Sequence, residues 1–199
     1  MYNNFVLDAL DRSKHPTEFY YFPQGFTPEE CDLIHELAQE FPAEMANIES
    51  GGDYEAVSAY RRSTIRWTHY NEKTHWVYER FGNLLNEANQ IWGFDVLGFG
   101  ESIQYTEYYD YNEGMYDWHV DAGHGLLSNR KISIVVQLDD PKDYDGGDLL
   151  IKRGAGDEVV YKAKGAVVMF PSFMLHRVTP VTRGLRRSGV LWATGPHFK

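Results

Sequence analysis

The chain has 199 residues, 43% of them apolar and 24% charged, with a net charge of −10. That length suits one domain with a real core, and the acidic balance argues against a nucleic-acid backbone as partner. A single cysteine, Cys31, excludes an internal disulfide and a cysteine-built metal site, and no run approaches the ~18 apolar residues of a membrane span.

Residues 1–17 read as an irregular arm that opens without a secretory signal, so a cytoplasmic protein is expected. Residues 18–22 are aromatic-rich and suit a first strand. Thr27-Pro28-Glu29-Glu30 predicts a helix start: Thr27 caps, Pro28 takes the first helical position, and Glu30 sits three after the cap. Ile34, Leu37 and Phe41 then form one face, and Phe41-Pro42 ends it. Residues 43–56 have no period and read as loop, and 59–69 as a strand. Asn71 is placed to cap a second helix, on which Val77, Phe81, Leu84, Ala88 and Ile91 recur at helical spacing until Gly93.

After Gly93 the texture changes to strands and turns. Strands are expected at 102–109, 115–120, 131–138, 148–152, 158–162, 166–170, 176–181 and 187–193, with Gly, Asn, Asp and Pro between them. The layout is mainly β with supporting N-terminal helices: a single domain whose residues 1–97 back a jelly roll, or double-stranded β-helix, of two antiparallel sheets over 98–195.

The chemistry lies in that second half. His119 and Asp121 are two residues apart at a strand end, so both project to one face, and a buried carboxylate there needs compensation. His176 follows a Gly-led apolar strand closed by Pro171. Two histidines and a carboxylate are the set that holds non-haem Fe(II) on one face, leaving three positions for a co-substrate and O2. His124 lies between glycines and reads as exposed; His35, His69 and His75 sit in helical or pre-helical context. Arg186 offers a permanent planar cation that suits a bidentate carboxylate contact, and strand alternation leaves Arg187 outside as a solvated edge residue.

The runs Tyr116-x-x-His119-x-Asp121, Asp143-Tyr-x-Gly-Gly-Asp-Leu149, Gly165-x-x-x-x-Phe170-Pro171-Ser-x-x-x-His176-x-Val-x-Pro-Val181 and Arg183-Gly-x-Arg186 together resemble the prolyl-4-hydroxylase-like 2-oxoglutarate/Fe(II) dioxygenases, especially the bacterial and phage PKHD-type branch. The resemblance covers about half the chain. It implies that His119, Asp121 and His176 bind iron and that Arg186 holds the distal carboxylate of 2-oxoglutarate. It further implies that Ser133 lies near that carboxylate, where the family often has threonine. An upstream tyrosine is implied as well; Gly114 lies two residues before Tyr116 where three is usual, which leaves Tyr105, Tyr108 and Tyr111 open, with Tyr108 favoured. Tyr116 and Trp118 would flank the mouth of the site.

The implied cofactors are Fe(II), 2-oxoglutarate and O2, with ascorbate as an optional reductant, and the implied activity is hydroxylation of a C–H bond. Three readings follow. The first is prolyl 4-hydroxylation in a proline-containing peptide or protein, with tyrosines at the mouth and the 43–60 segment as a lid. The second is the same centre acting on a free amino acid or other small molecule. The third is a cupin-like module that binds metal without turnover, against which Arg186 argues, because a metal cage needs no dicarboxylate anchor. A monomer or dimer is expected, with no membrane and no nucleic-acid partner.

Overall fold

The computed structural model describes residues 18–46 and 59–198. The expected arm over 1–17, and residues 47–58 of the expected loop and lid, lie outside them. In chain order the elements are β1 (Tyr20–Phe22), α1 (Pro28–Gln39), β2 (Glu44–Met45), β3 (Arg61–Arg62), β4 (Thr64–Thr68), α2 (His75–Trp92), β5 (Gly98–Phe99), β6 (Ile103–Tyr109), β7 (Met115–His119), β8 (Arg130–Gln137), β9 (Asp145–Gly146), β10 (Leu149–Arg153), β11 (Gly156–Val159), β12 (Val167–Pro171), β13 (His176–Val178), β14 (Val181–Arg183) and β15 (Leu185–Thr194).

The strands make a major sheet ordered β1-β12-β8-β15-β6-β4-β2, with β5 beside β15, and a minor sheet ordered β11-β10-β13-β7-β3. A ribbon of β14 and β9 completes them, and every pairing is antiparallel. This is the expected jelly roll, with both helices against the outer face of the major sheet.

Local chemistry explains the helices. Thr27 Oγ1 accepts from the Glu30 N–H (3.2 Å), and the Thr27 N–H donates to Glu30 Oε2 (2.8 Å), a reciprocal capping box. Arg80 on α2 then donates to the same Glu30 carboxylate, tying the helices together. The start of α2 comes later than expected. Asn71 Oδ1 accepts from the N–H groups of Lys73 and Thr74 and so holds a turn, and the helix begins at His75. Gly93 ends it at φ 63, where a side chain would be strained.

Period-two alternation separates two cores. Ile132, Ile134 and Val136 of β8, Val167 and Met169 of β12, and Leu191 and Ala193 of β15 face the helices with Phe26, Val77, Phe81 and Ala88. The other parity (Val135, Val168, Phe170) faces the minor sheet's Leu149, Ile151 and Val178. Fully burying side chains such as Phe81 and Phe170 contributes about 1.5–3 kcal/mol each. On that inner face Gln104, Thr106, Ser133, Gln137, Arg186 and Ser188 are also buried, an unusual polar content for a core.

Several boundaries differ from expectation. The 43–56 loop contains β2, which pairs with β4. The hairpin after β10 turns at once, with Arg153 opposite Gly156, so β11 runs over 156–159 rather than 158–162. The expected 176–181 strand is split at Thr179-Pro180, since proline cannot donate to a ladder, and the chain passes from the minor sheet to the ribbon there. Asp145–Gly146, read as turn, pairs with β14. The division at residue 97 does not part helices from sheet, because β1, β2 and β4 extend the major sheet and β3 the minor one.

Candidate metal centre and active site

β7 ends at His119 and β13 begins at His176, and the two residues are register partners. Asp121 follows β7, its N–H donating to the Ser172 carbonyl (2.9 Å). The three side chains bring one ligand atom each to within 4.8 Å of the others. His119 Nε2 lies 3.7 Å from Asp121 Oδ1, and His176 Nε2 3.6 Å from Asp121 Oδ2.

The imidazoles are aimed by their other nitrogens. His119 Nδ1 is 2.7 Å from the Asp117 carbonyl and His176 Nδ1 is 2.9 Å from the Met174 carbonyl. A carbonyl only accepts, so each Nδ1 carries a hydrogen and each Nε2 is the atom turned toward Asp121. Burial holds the His119 pKa well below its ordinary value, and His176 beside it adds to the shift. Burial alone would raise Asp121, but His176, His119 and the Ser133 hydroxyl outweigh it and keep the carboxyl below its usual range. A carboxylate and a neutral His119 imidazole, with the Nε2 atoms of both histidines turned inward, suit a divalent cation and the facial triad in particular.

A β-bulge completes the mouth. His176 opposes His119 but Val178 opposes Tyr116, so β7 carries one extra residue there. Tyr116 and His119, three apart, therefore share the inner side, and their rings stack at 3.4 Å and 13°. Trp118 is displaced to the other side: Arg177 Cζ lies 4.8 Å from its ring and Lys152 Nζ 5.5 Å. Of the two aromatics expected at the mouth, only Tyr116 is there. His124 is exposed, as expected.

The floor is built around Arg186, 1% exposed on central strand β15. It donates to Gln137 Oε1 (2.9 Å), its Cζ lies 5.3 Å from the Tyr108 ring, and its Nε has no partner. No Asp or Glu among the described residues pairs with it. The Gln137 Nε2 and Tyr144 hydroxyl are likewise buried without partners. Burial raises the Tyr144 hydroxyl while the Arg186 charge pulls it back, so the two groups are close. Gly147 makes room: a Cβ there would lie 2.7 Å from Arg186 Cδ, at φ +60. An orphaned donor on the cation and two more on neighbouring side chains suit a carboxylate guest.

Tyr108, His119, Asp121, His176 and Arg186 thus line one cavity. Tyr105 is on the opposite face, bonded to His35 Nδ1 (2.6 Å), and Tyr111 is exposed, which leaves Tyr108 of the three candidates. Ser133, expected near the dicarboxylate anchor, donates instead to Asp121 Oδ2 (2.6 Å). Its register partner is Trp192, six residues and about 20 Å of strand from Arg186. Gln137, opposite Ser188, has the place beside Arg186. Nor is Arg187 a solvated edge residue; it grips Asp139 with its N–H (2.6 Å) and Nε (2.8 Å) on the helix side.

Sequence reasoning missed Gln137, Tyr144 and Arg61. Gln137 shares the parity of Ser133 and Val135 on β8, and Tyr144 stands inside a glycine motif already noted; both signals were present. Arg61 reaches the cavity from β3, and nothing near it in sequence announces that.

Fold and site define a double-stranded β-helix with a His-Asp-His cluster able to hold a metal ion and a buried arginine below it. Residues 103–194 match the model of the 2OG-Fe(II) oxygenase superfamily. Among curated relatives, a PKHD-type hydroxylase of Teredinibacter turnerae is 42% identical over 86 residues, 41% of this chain and 38% of that protein. One from a Caulobacter species is 46% identical over 68 residues, 34% of this chain and 30% of that protein. The chain thus spans less than two fifths of the length of these relatives. Among solved structures, a Pseudomonas putida prolyl-4-hydroxylase superposes with a TM-score of 0.70 at 18% identity, covering 90% of this chain and 93% of that one. A Trichoplax adhaerens prolyl hydroxylase in complex with a hypoxia inducible factor peptide fragment gives 0.71 at 13% identity, covering 89% and 83%. At those identities the likeness shows the fold. No helix among the described residues is long and apolar enough to cross a membrane.

Proposed function

We propose that this protein is a 2-oxoglutarate- and Fe(II)-dependent dioxygenase that hydroxylates a C–H bond, with a prolyl residue of a peptide as its substrate and ascorbate as an optional reductant. One observation carries the reading: Arg186 is buried without an acidic partner among the described residues, in the same cavity as the His-Asp-His cluster. A metal store has no use for that cation, whereas a dicarboxylate co-substrate does. The peptide assignment is supported by the prolyl hydroxylase likeness and by the tyrosine-lined mouth, where Tyr60 packs edge-on against Tyr116.

In this mechanism His119, Asp121 and His176 hold Fe(II). Bound there, the metal supplies O2 activation coupled to oxidative decarboxylation of 2-oxoglutarate. The protein's part is orientation. The Asp117 and Met174 carbonyls fix both imidazoles, Ser133 holds one oxygen of Asp121, and Tyr116 keeps the His119 plane from turning. Arg186, beside Tyr108, Gln137 and Tyr144, anchors the distal carboxylate of the co-substrate. Val135, Leu149, Val178 and Val190 line the same cavity and exclude water from it.

The test is incubation with Fe(II), 2-oxoglutarate, ascorbate and a panel of proline-containing peptides, free proline and free lysine, read by succinate release and product mass. A peptide gaining one oxygen on a prolyl ring is expected. Oxygen on a free amino acid alone would replace the peptide by a small molecule, and co-substrate binding without turnover on any class would favour the sensing module. His119→Ala, Asp121→Ala and His176→Ala should each abolish Fe(II)-dependent turnover and His124→Ala should not.

A further inference from the structure

Arg61 is a second buried arginine that pairs with no Asp or Glu among the described residues. It is 7% exposed and lies between the inner cavity and an outer cleft of about 420 Å³ that shares Asp121, Tyr116 and Trp192 with it. Its Nε donates to Ser63 Oγ (3.0 Å) and its Nη2 to Gln104 Oε1 (2.8 Å), and its Cζ lies 4.4 Å from the Tyr116 ring. Its other terminal nitrogen makes no hydrogen bond to a described residue. Because a guanidinium only donates, Gln104 must turn its oxygen to Arg61, which leaves the amide NH2 of Gln104 as a second donor.

The acids that line the outer cleft are already committed. Glu101 accepts from Arg130 Nε (2.6 Å) and Nη2 (2.5 Å), and Asp121 belongs to the metal cluster. A desolvated cation is costly to keep unless an anion arrives beside it. The placement also divides the labour between the two arginines: Arg186 comes from β15 in the major sheet and Arg61 from β3 in the minor one, and both line the cavity that holds the metal cluster.

We propose that Arg61, with Gln104, is the carboxylate-recognition site for the substrate, so that the molecule oxidised bears a carboxylate close to the target C–H bond. It rests on the oxygenase reading only for where that bond lies. The carboxylate can come from an acidic side chain next to the target residue in a peptide, or from the α-carboxylate of a free amino acid.

Two probe pairs separate these sources. One is an amide-capped alanine–proline–alanine peptide against its aspartate–proline–alanine counterpart; the other is L-prolinamide against L-proline. Binding is measured by calorimetry on the full chain under anaerobic conditions, with and without Fe(II) and 2-oxoglutarate. In at least one pair the carboxylate-bearing probe should bind roughly ten- to hundredfold more tightly, the range expected for hydrogen bonds to a charged group. Arg61→Gln should erase that preference and leave 2-oxoglutarate affinity unchanged. No preference in either pair, or a preference that survives Arg61→Gln, overturns the proposal. If the glutamine variant does not fold, Arg61→Lys decides: loss of the planar fork should shrink the preference, and an undiminished one overturns it. Failure to bind Fe(II) or 2-oxoglutarate would sink the oxygenase reading and leave the carboxylate comparison standing.

Discussion

Arg186 donates to Gln137 inside the roll, while Arg187, one residue on, grips Asp139 on the helix side. Their alanine variants should therefore fail differently. Arg186→Ala removes a charge-assisted contact to a buried carboxylate, about 2–5 kcal/mol, and should raise the 2-oxoglutarate requirement at least tenfold. Arg187→Ala leaves Asp139, 4% exposed, without its partner and should lower the melting temperature while co-substrate affinity holds. Titration of 2-oxoglutarate and thermal melts of both variants check this; equal co-substrate curves would remove Arg186 from the site. Cys31 makes a second residue-scale case. Burial pushes its thiol from an ordinary 9.0 up to about 12. At pH 8 the thiolate fraction is then on the order of 10⁻⁴, so a thiol reagent should label the chain only in denaturant. The sign for stability follows: the fold favours the protonated thiol, so this contribution is complete below pH 9 and is lost as pH rises toward 12.

The helix α2 was readable as an element because Val77, Phe81 and Ala88 recur on one face and all are buried. Gly82 breaks no rule of that pattern, and a Cβ placed on it meets nothing within 4 Å. Gly82→Ala should stabilise by about 0.5–1 kcal/mol, since alanine loses less backbone entropy on folding. In a chain of this size that is a rise of roughly 1–4 °C, and a melt no higher than wild type would contradict it. The two-residue strands β2, β5 and β9 were not readable, because two residues hold no period and their assignment comes from a partner strand. The Tyr116–His119 bulge was hidden for the same reason: it exists only in the register between β7 and β13.

At the scale of the whole molecule, the major sheet is covered on both faces, and one cover comes from the first half of the chain. Phe26, Ile34, Val77, Phe81 and Leu85 pack on Ile132, Ile134, Val136 and Leu191. A fragment beginning at residue 98 would expose that face and lose the pairings of β1 to β12 and β4 to β6. It should be insoluble or lack a cooperative transition by circular dichroism, and a fragment that melts like the full chain would show that the jelly roll stands without its helices. The same cut removes Arg61, so the site as well as the fold spans both halves.

By itself the sequence determined which residues make up the candidate centre. His119, Asp121 and His176 were legible because ligand type and spacing survive without coordinates, and Arg186 because alternation places one of two adjacent arginines inside. The helix-then-strand order and the capping box were legible because they depend on residues within one turn or one strand of each other. Only the tertiary structure decided which residues surround those groups. Ser133 and Gln137 have the same parity, and strand register alone assigns the first to Asp121 and the second to Arg186. Trp118 was turned outward by a bulge, and Arg61 was brought in from 58 positions before His119 through the β3–β7 pairing. A motif encodes the residues of the His-Asp-His cluster; the partners of those residues are set by strand pairing between distant segments, which no local pattern records.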